Sequence, residues 1–191
     1  YLCPMRPQKV LDIEILTGLS KIFRSKGYEG ASLKDLSDAT GLKKASLYHR
    51  FPDGKKGMAD AVLNHINNWV DEKVFFELLN TEKTPEERLK TGLEAVRVLY
   101  EGGEETCIFR ALSMQSSLEL FENQISGGMK KWINTFKTLG LALGFSPTDA
   151  KEKAYQTLIK VQGSLIVTKG LNDITIFENT LVQIENEYLD Q

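Results

Sequence analysis

Six of the eight positions from Lys43 to Arg50 carry cations, hydroxyls or an imidazole: Lys43, Lys44, Ser46, Tyr48, His49 and Arg50. Leu47 and Phe51, four apart, supply an apolar side, which leaves these groups on or near the outer side of one short helix. In the major groove of a duplex, ammonium and guanidinium groups read guanine edges, hydroxyls reach phosphates, and a small methyl such as that of Ala45 meets a thymine methyl. Taken alone, the pattern is equally compatible with a solvated cationic face. Ser46 and His49 have helical i,i+3 spacing but share this outer side, and the chain shows no nucleophile elbow or phosphate loop. The two cysteines, Cys3 and Cys107, and the two histidines, His49 and His65, have no metal-ligand or disulfide-framework spacing. No catalytic residue, metal or cofactor is therefore expected.

The short helix needs a brace. Ser32 is an N-cap type and Asp35 stands three residues on, where a carboxylate answers both the cap and the helix dipole. Leu33, Leu36 and Ala39 follow at helical spacing and are expected to face a core. Thr40-Gly41 ends that helix, since glycine tolerates the left-handed backbone of a tight turn, and Leu42 plugs it. Before this unit, Leu11, Ile15, Leu19, Ile22 and Phe23 predict a helix from Gln8 to Lys26, closed by Gly27 with Tyr28 folding back. Arg6 and Lys9 at its entrance are candidate phosphate contacts.

Charge is unevenly spread. The 191 residues carry a formal net charge of −2, yet residues 1–57 hold 11 Lys+Arg against 6 Asp+Glu and the remainder 13 against 20. A basic head on an acidic body suits nucleic acid at one end and a different partner at the other. No apolar run approaches the length of a membrane span, so a cytoplasmic chain with reduced thiols is expected.

Beyond Pro52-Asp53-Gly54, a long helix is predicted from Lys55 to about Leu79, with Met58, Val62, Ile66, Trp69 and Val70 on its apolar face. Thr84-Pro85-Glu86-Glu87 and Ser146-Pro147-Thr148-Asp149 are cap-proline-acid starts. The first opens a helix to Tyr100, the second one to about Lys169 closed by Gly170. Between them come a short piece, Cys107 to Met114, and a helix from Leu118 to Leu143 that Gly127-Gly128 is expected to weaken or kink. The last helix spans Ile174 to Leu189. The 3.6-residue period runs throughout without a convincing strand, so the fold class is all-α.

One resemblance sharpens this reading. Leu36, Ala39, Gly41 and Leu42, the run Ala45 to Phe51, and Gly54-Lys55 resemble the DNA-binding domain of the tetracycline-repressor (TetR) family. The FPDGKKGM segment is similar to the subgroup with a glycine before the lysine that opens helix four. The family often caps helix three with Ser or Thr, whereas Lys43 stands here, which removes a cap and adds a cation. The resemblance implies an N-terminal three-helix head with a helix-turn-helix, residues 1–56, joined to a C-terminal helical body, residues 57–191, for effector binding and dimerisation. On the head, Ser32, Lys43, Lys44, Ala45, Ser46, Tyr48, His49 and Lys55 are the candidate contacts to a double-stranded operator.

In the body, Phe109, Met114, Phe121, Met129, Trp132, Phe136 and Tyr155 form a stripe that is either core or, as the resemblance implies, the lining of an effector pocket. Gln162, Tyr155, Arg110 and Gln115 are its polar candidates, and Cys107 is expected to pack. Leu158, Leu165, Phe177, Leu181 and Ile184 are the expected seam of a homodimer, with Gly163 permitting close approach. These features imply a repressor of a palindromic operator, released by a small apolar ligand. The rival reading is a helical interaction or ligand-binding module that has lost specific DNA binding.

Overall fold

The computed structural model describes residues 12–114 and 117–190 as ten α-helices, with no strand among the described residues. The expected start of the first helix, with Arg6, Lys9 and Leu11, lies outside them, as does Gln115. Helix α1 (Asp12–Gly30) buries Ile15, Leu19 and Phe23 and is interrupted at Gly27, whose φ is 69°. Helices α2 (Leu33–Thr40) and α3 (Lys44–Arg50) follow, then α4 (Gly54–Val70).

Helix α1 crosses α2 at Gly18. A Cβ placed there would lie 2.5 Å from the Ala39 carbonyl oxygen, so the two helices meet backbone to backbone. This contact also explains a departure from the periodicity. The Ala39 side chain is exposed rather than inward, because the approach uses its carbonyl.

The long fourth helix reaches Leu79, but not as a regular rod. After Val70 the chain widens into a π-helical stretch, Asp71–Phe75, and resumes as α5 (Phe76–Leu79). The wider turn sends both Val74 and Phe75 inward and leaves Phe76 exposed. Helix α6 (Pro85–Leu99) starts where the proline signature placed it, with a reciprocal cap between Thr84 and Glu87. A 3₁₀ turn, Glu101–Gly103, and the short α7 (Ile108–Leu112) lead to α8 (Ser117–Ala142).

Helix α8 runs on through Gly127-Gly128, against the expected break. Gly128 is where the Phe109 ring packs, since a Cβ there would meet its Cζ at 2.3 Å. Helix α9 (Pro147–Leu171) is capped by the Ser146 hydroxyl and ends one residue past Gly170, with Asn172 supplying the left-handed cap instead. Helix α10 (Thr175–Leu189) lies against α9 and completes the body. A row of rings crosses its core: Phe75 edge-on to Trp132 at 5.1 Å, Trp132 stacked on Phe136 at 6.1 Å, and Phe136 against Tyr188 at 6.3 Å. Burial pushes the Tyr188 hydroxyl up to about 12, partly offset by its 3.2 Å bond with Thr157.

The expected dimer seam needs correction. Leu165, Phe177, Leu181 and Ile184 are already buried within one chain and Leu158 is half-buried, so they have little or no surface left for a second copy. The large apolar residues that remain outside on α9 are Tyr155, Ile159, Ile166, Val167 and, at its end, Leu171.

Gly18→Ala should force α1 and α2 apart and cost about 1–3 kcal/mol, the usual range for overpacking. Gly127→Ala, where a Cβ meets nothing within 4 Å, should be neutral or stabilise by up to ~1 kcal/mol through helix propensity. Urea unfolding of both variants beside the parent checks the pair, and equal effects would contradict the crossing.

Candidate nucleic-acid interface

The turn between α2 and α3 is held by short-range chemistry. Ser32 Oγ accepts from the Asp35 backbone N–H at 3.1 Å, and the Asp35 carboxylate accepts from the Ser32 N–H at 3.1 Å. Lys26 of α1 donates to the same carboxylate at 2.6 Å, which ties the cap to the bracing helix. Gly41 takes the left-handed conformation, φ 66°, and Ser37 Oγ donates to the Leu42 carbonyl across the turn at 2.5 Å. The Thr40 hydroxyl donates back to the Leu36 carbonyl at 2.7 Å.

One residue anchors α3 from within. Leu47 is fully buried, a contribution of roughly 1.5–3 kcal/mol for a leucine taken out of water. Around it Lys43, Lys44, Ala45, Ser46, Tyr48 and His49 are all exposed on the same short helix. Lys43 stands at the N-cap in extended conformation, exposed, and its side chain makes no capping bond because an ammonium has no acceptor. Arg50 is different: its guanidinium pairs with Asp12, so this cation fastens α3 to α1. Ala45, Ser46, His49, Arg50 and Leu42 line a shallow groove along the outside of α3.

Lys55 lies in the first turn of α4, half-buried. Its Nζ donates to the Ala31 carbonyl at 3.2 Å and sits 4.5 Å above the Tyr28 ring. The same ring stacks with Phe23 at 6.3 Å and meets the edge of Phe121 at 5.3 Å. Phe121 belongs to α8, so Tyr28 is one of the contacts between head and body. The Tyr28 hydroxyl titrates above its ordinary value because burial outweighs the pull of Lys56.

The body residues predicted for an effector do not come together as one wall. Phe109 and Trp132 line a small internal cavity of about 10 Å³, room for one water. Gln162 reaches its edge by donating to the Tyr100 hydroxyl at 3.3 Å, and Phe136 stacks behind Trp132. Met129 is half-buried against the core. Phe121 is taken up by the Tyr28 joint, while Met114 and Tyr155 are exposed and line no part of the cavity. Arg110 is exposed.

The cavity also has walls that periodicity did not single out. Arg24 of α1 and Asn67 of α4 face it, and Tyr100 was counted only as the apolar end of α6. Arg24 donates to Glu105 at 3.1 Å, while its Nε is buried without a partner. Burial drives the Tyr100 hydroxyl well above its ordinary range, and Cys107 beside it adds to the shift. The available sequence signal was an arginine adjacent to Phe23 on a core-facing helix.

Residues 15–62 match the family model described as bacterial regulatory proteins, tetR family. That segment is a tetR-type domain. The tetR-type head defined by the match covers α2 and α3 with most of α1 and the first half of α4. Over 159 residues, the chain is 23% identical to the HTH-type transcriptional regulator LmrA of Bacillus subtilis (strain 168), covering 81% of this chain and 84% of the relative. Its fold is that of a TetR transcriptional regulator from Legionella pneumophila, with a TM-score of 0.79 at 20% identity, 95% of this chain and 99% of the other. It is also similar to a cysteine mutant of the TetR family regulator CifR complexed with 26-bp double-strand operator DNA, with a TM-score of 0.68 at 21% identity, 92% and 98% covered.

The Asp35 cap carries a pH signature. Hydrogen bonds from Lys26 and Ser32 hold its carboxyl well below the usual carboxylate range. A depressed folded value means stability that is present above the unfolded value near 4 and is lost as pH falls below it. The head should therefore loosen below about pH 4, and less so in high salt because the group is exposed. Asp35→Asn should flatten this part of the acid unfolding profile, read by circular dichroism, while an unchanged profile would contradict the assignment.

Proposed function

We propose that this tetR-family protein is a homodimeric, cytoplasmic repressor that binds a palindromic operator through α3 and is released by a small ligand held in its body. Residues 1–56 would form the DNA-binding unit and residues 57–191 the effector-binding and dimerisation unit. The observation that carries this reading is α3 itself: one buried anchor, Leu47, beneath an exposed face of two lysines, two hydroxyls, an alanine and an imidazole. On the second helix of a helix-turn-helix, such a face suits the major groove of a duplex. The duplex bound by CifR supports the same reading by relationship.

Within that face, Lys44 and Ala45 stand at the start of α3 and are the base-reading pair in the proposal, a lysine for guanine and a methyl for thymine. Lys43, Ser46, Tyr48 and His49 would hold phosphates, as would Ser32 at the entrance of α2. The Lys55 ammonium, committed to Ala31 and Tyr28, supports a positioning part more than a direct contact. Transcriptional control of this kind needs no catalytic group.

Dimerisation is proposed through the outer side of α9. Tyr155, Ile159 and Ile166 recur at helical spacing, remain exposed, and flank Gly163, above which a Cβ would meet nothing within 4 Å. An apolar stripe next to a glycine lets a second helix approach closely. Pairing two heads makes the second half-site contact intramolecular, which supplies affinity that one short helix lacks.

In mobility-shift titrations, Lys44→Ala should cost about 1–3 kcal/mol on the operator and relax preference at one base pair per half-site. An equal loss on random DNA would make Lys44 a phosphate contact, and no shift by the parent chain on any genomic fragment would overturn the repressor.

Ile159→Asp with Ile166→Asp should leave the helical spectrum intact but give a monomer in sedimentation, because a carboxylate buried at a symmetric interface has no partner. Specific binding should fall far more than random binding. A monomer with full operator affinity would rule out the shared-body account.

A further inference from the structure

Between α1, α4 and α6 an outer cleft of about 380 Å³ opens to solvent, bordered by Lys21, His65 and Trp69. A smaller cavity of about 10 Å³ adjoins it. The two share three walls: Arg24, Ile66 and Leu99. Cleft and cavity are thus neighbours, with the Arg24 side chain and the two aliphatic residues bordering both. The smaller cavity is apolar, with Val70, Ile108, Phe109 and Trp132, and carries the Tyr100 hydroxyl at its side.

Arg24 is an unusual shared wall. Its Nη1 donates to Glu105, whose side chain keeps a quarter of its exposure, while its Nε is buried with nothing to donate to. A guanidinium presents paired N–H groups that suit both oxygens of one carboxylate. The single contact to Glu105 leaves that capacity unused, and a buried unpaired donor is costly. One water fits the cavity and would satisfy the Nε, but a carboxylate would do so with charge.

We propose that the effector is a small monocarboxylic acid with an apolar aliphatic or aromatic body, whose carboxylate takes Arg24 from Glu105 while its body enters the cavity between Phe109 and Trp132. The proposal rests on the ligand-released repressor described above and names the class of ligand. Arg24 lies on α1, three residues before Gly27, and the Arg24–Glu105 pair clasps this helix of the head to the loop after α6. Exchange of the partner releases that clasp, so the acid acts directly on the element that braces the DNA-reading helices. The cavity must widen for the body of the acid, and the Phe109 and Trp132 side chains are the walls that move.

The test uses the full chain with straight-chain carboxylates from butyrate to decanoate, phenylacetate, and the primary alcohols of matching length. Binding is read by calorimetry and by the fluorescence of Trp69 and Trp132, and release by mobility shift. At least one acid should bind and lower DNA affinity, with its matched alcohol about tenfold or more weaker, as a charge-assisted hydrogen bond requires. Arg24→Gln should erase the difference between acid and alcohol. Glu105→Gln, which leaves Arg24 in place, should tighten acid binding by removing the competing carboxylate.

Equal affinity for acids and alcohols, an unchanged acid preference in Arg24→Gln, weaker acid binding in Glu105→Gln, or no binding by any member of the series would each overturn the proposal and leave the cavity as a water site. Should Arg24→Gln fail to fold, the Glu105→Gln titration decides alone. A chain that shifts DNA and ignores every acid loses this inference only. A chain that binds acid and shifts no DNA loses the repressor instead.

Discussion

The Tyr28 ring is wedged between Phe23 of its own helix, Phe121 of α8 and the Lys55 ammonium at the start of α4. Three elements that also pack on one another therefore share one contact. Aromatic edges and a cation over a ring face contribute about 0.5–1.5 and 0.5–1 kcal/mol each beyond area burial, modest amounts that can hold an orientation without locking it. Gly27, with its positive φ, turns the chain so that Tyr28 can reach back, and a Cβ there would press on the Ala111 carbonyl at 3.3 Å. The position of α3 relative to the body follows in part from this joint.

Helix α1 consequently has two duties. On one side it presents Gly18 to the α2 backbone and Lys26 to the Asp35 cap, so it carries the helix-turn-helix. Near its end it presents Arg24 to Glu105 and Tyr28 to Phe121, so it also carries the link to the body. From Gly18 to Lys26 the helix is regular, so Arg24 is carried with the residues that brace α2, whereas Tyr28 lies past the break at Gly27.

The body is closed where an effector pocket was expected to be open. Phe109 packs above Gly128, Trp132 lies against Phe75 and Phe136, and about 10 Å³ remains beside Tyr100. Such packing is favourable for a core, since voids forfeit dispersion contacts. The π-helical stretch at Asp71–Phe75 belongs to the same arrangement, for it is what brings Phe75 alongside Val74 and against Trp132.

Local chemistry was legible in the sequence wherever a few neighbouring residues settle it. Ser32 with Asp35, Thr84 with Glu87, Ser146 ahead of Pro147 and the left-handed Gly41 all act within one helical turn, so their types and spacing determined where helices begin and end. The all-α class and the exposed face of α3 followed from the same short-range periods. Tertiary structure alone decided matters that depend on which partner a helix meets. Helix α9 is apolar on more than one side, and only packing against α8 and α10 turned Leu165 inward and left Ile159 and Ile166 out. Likewise Arg50 was drawn to Asp12, and Arg24 was placed beside Tyr100 across 76 positions of chain. Periodicity reports the angle of a side chain about its own axis, whereas burial, pairing and pockets are set by the surfaces that other helices bring to it.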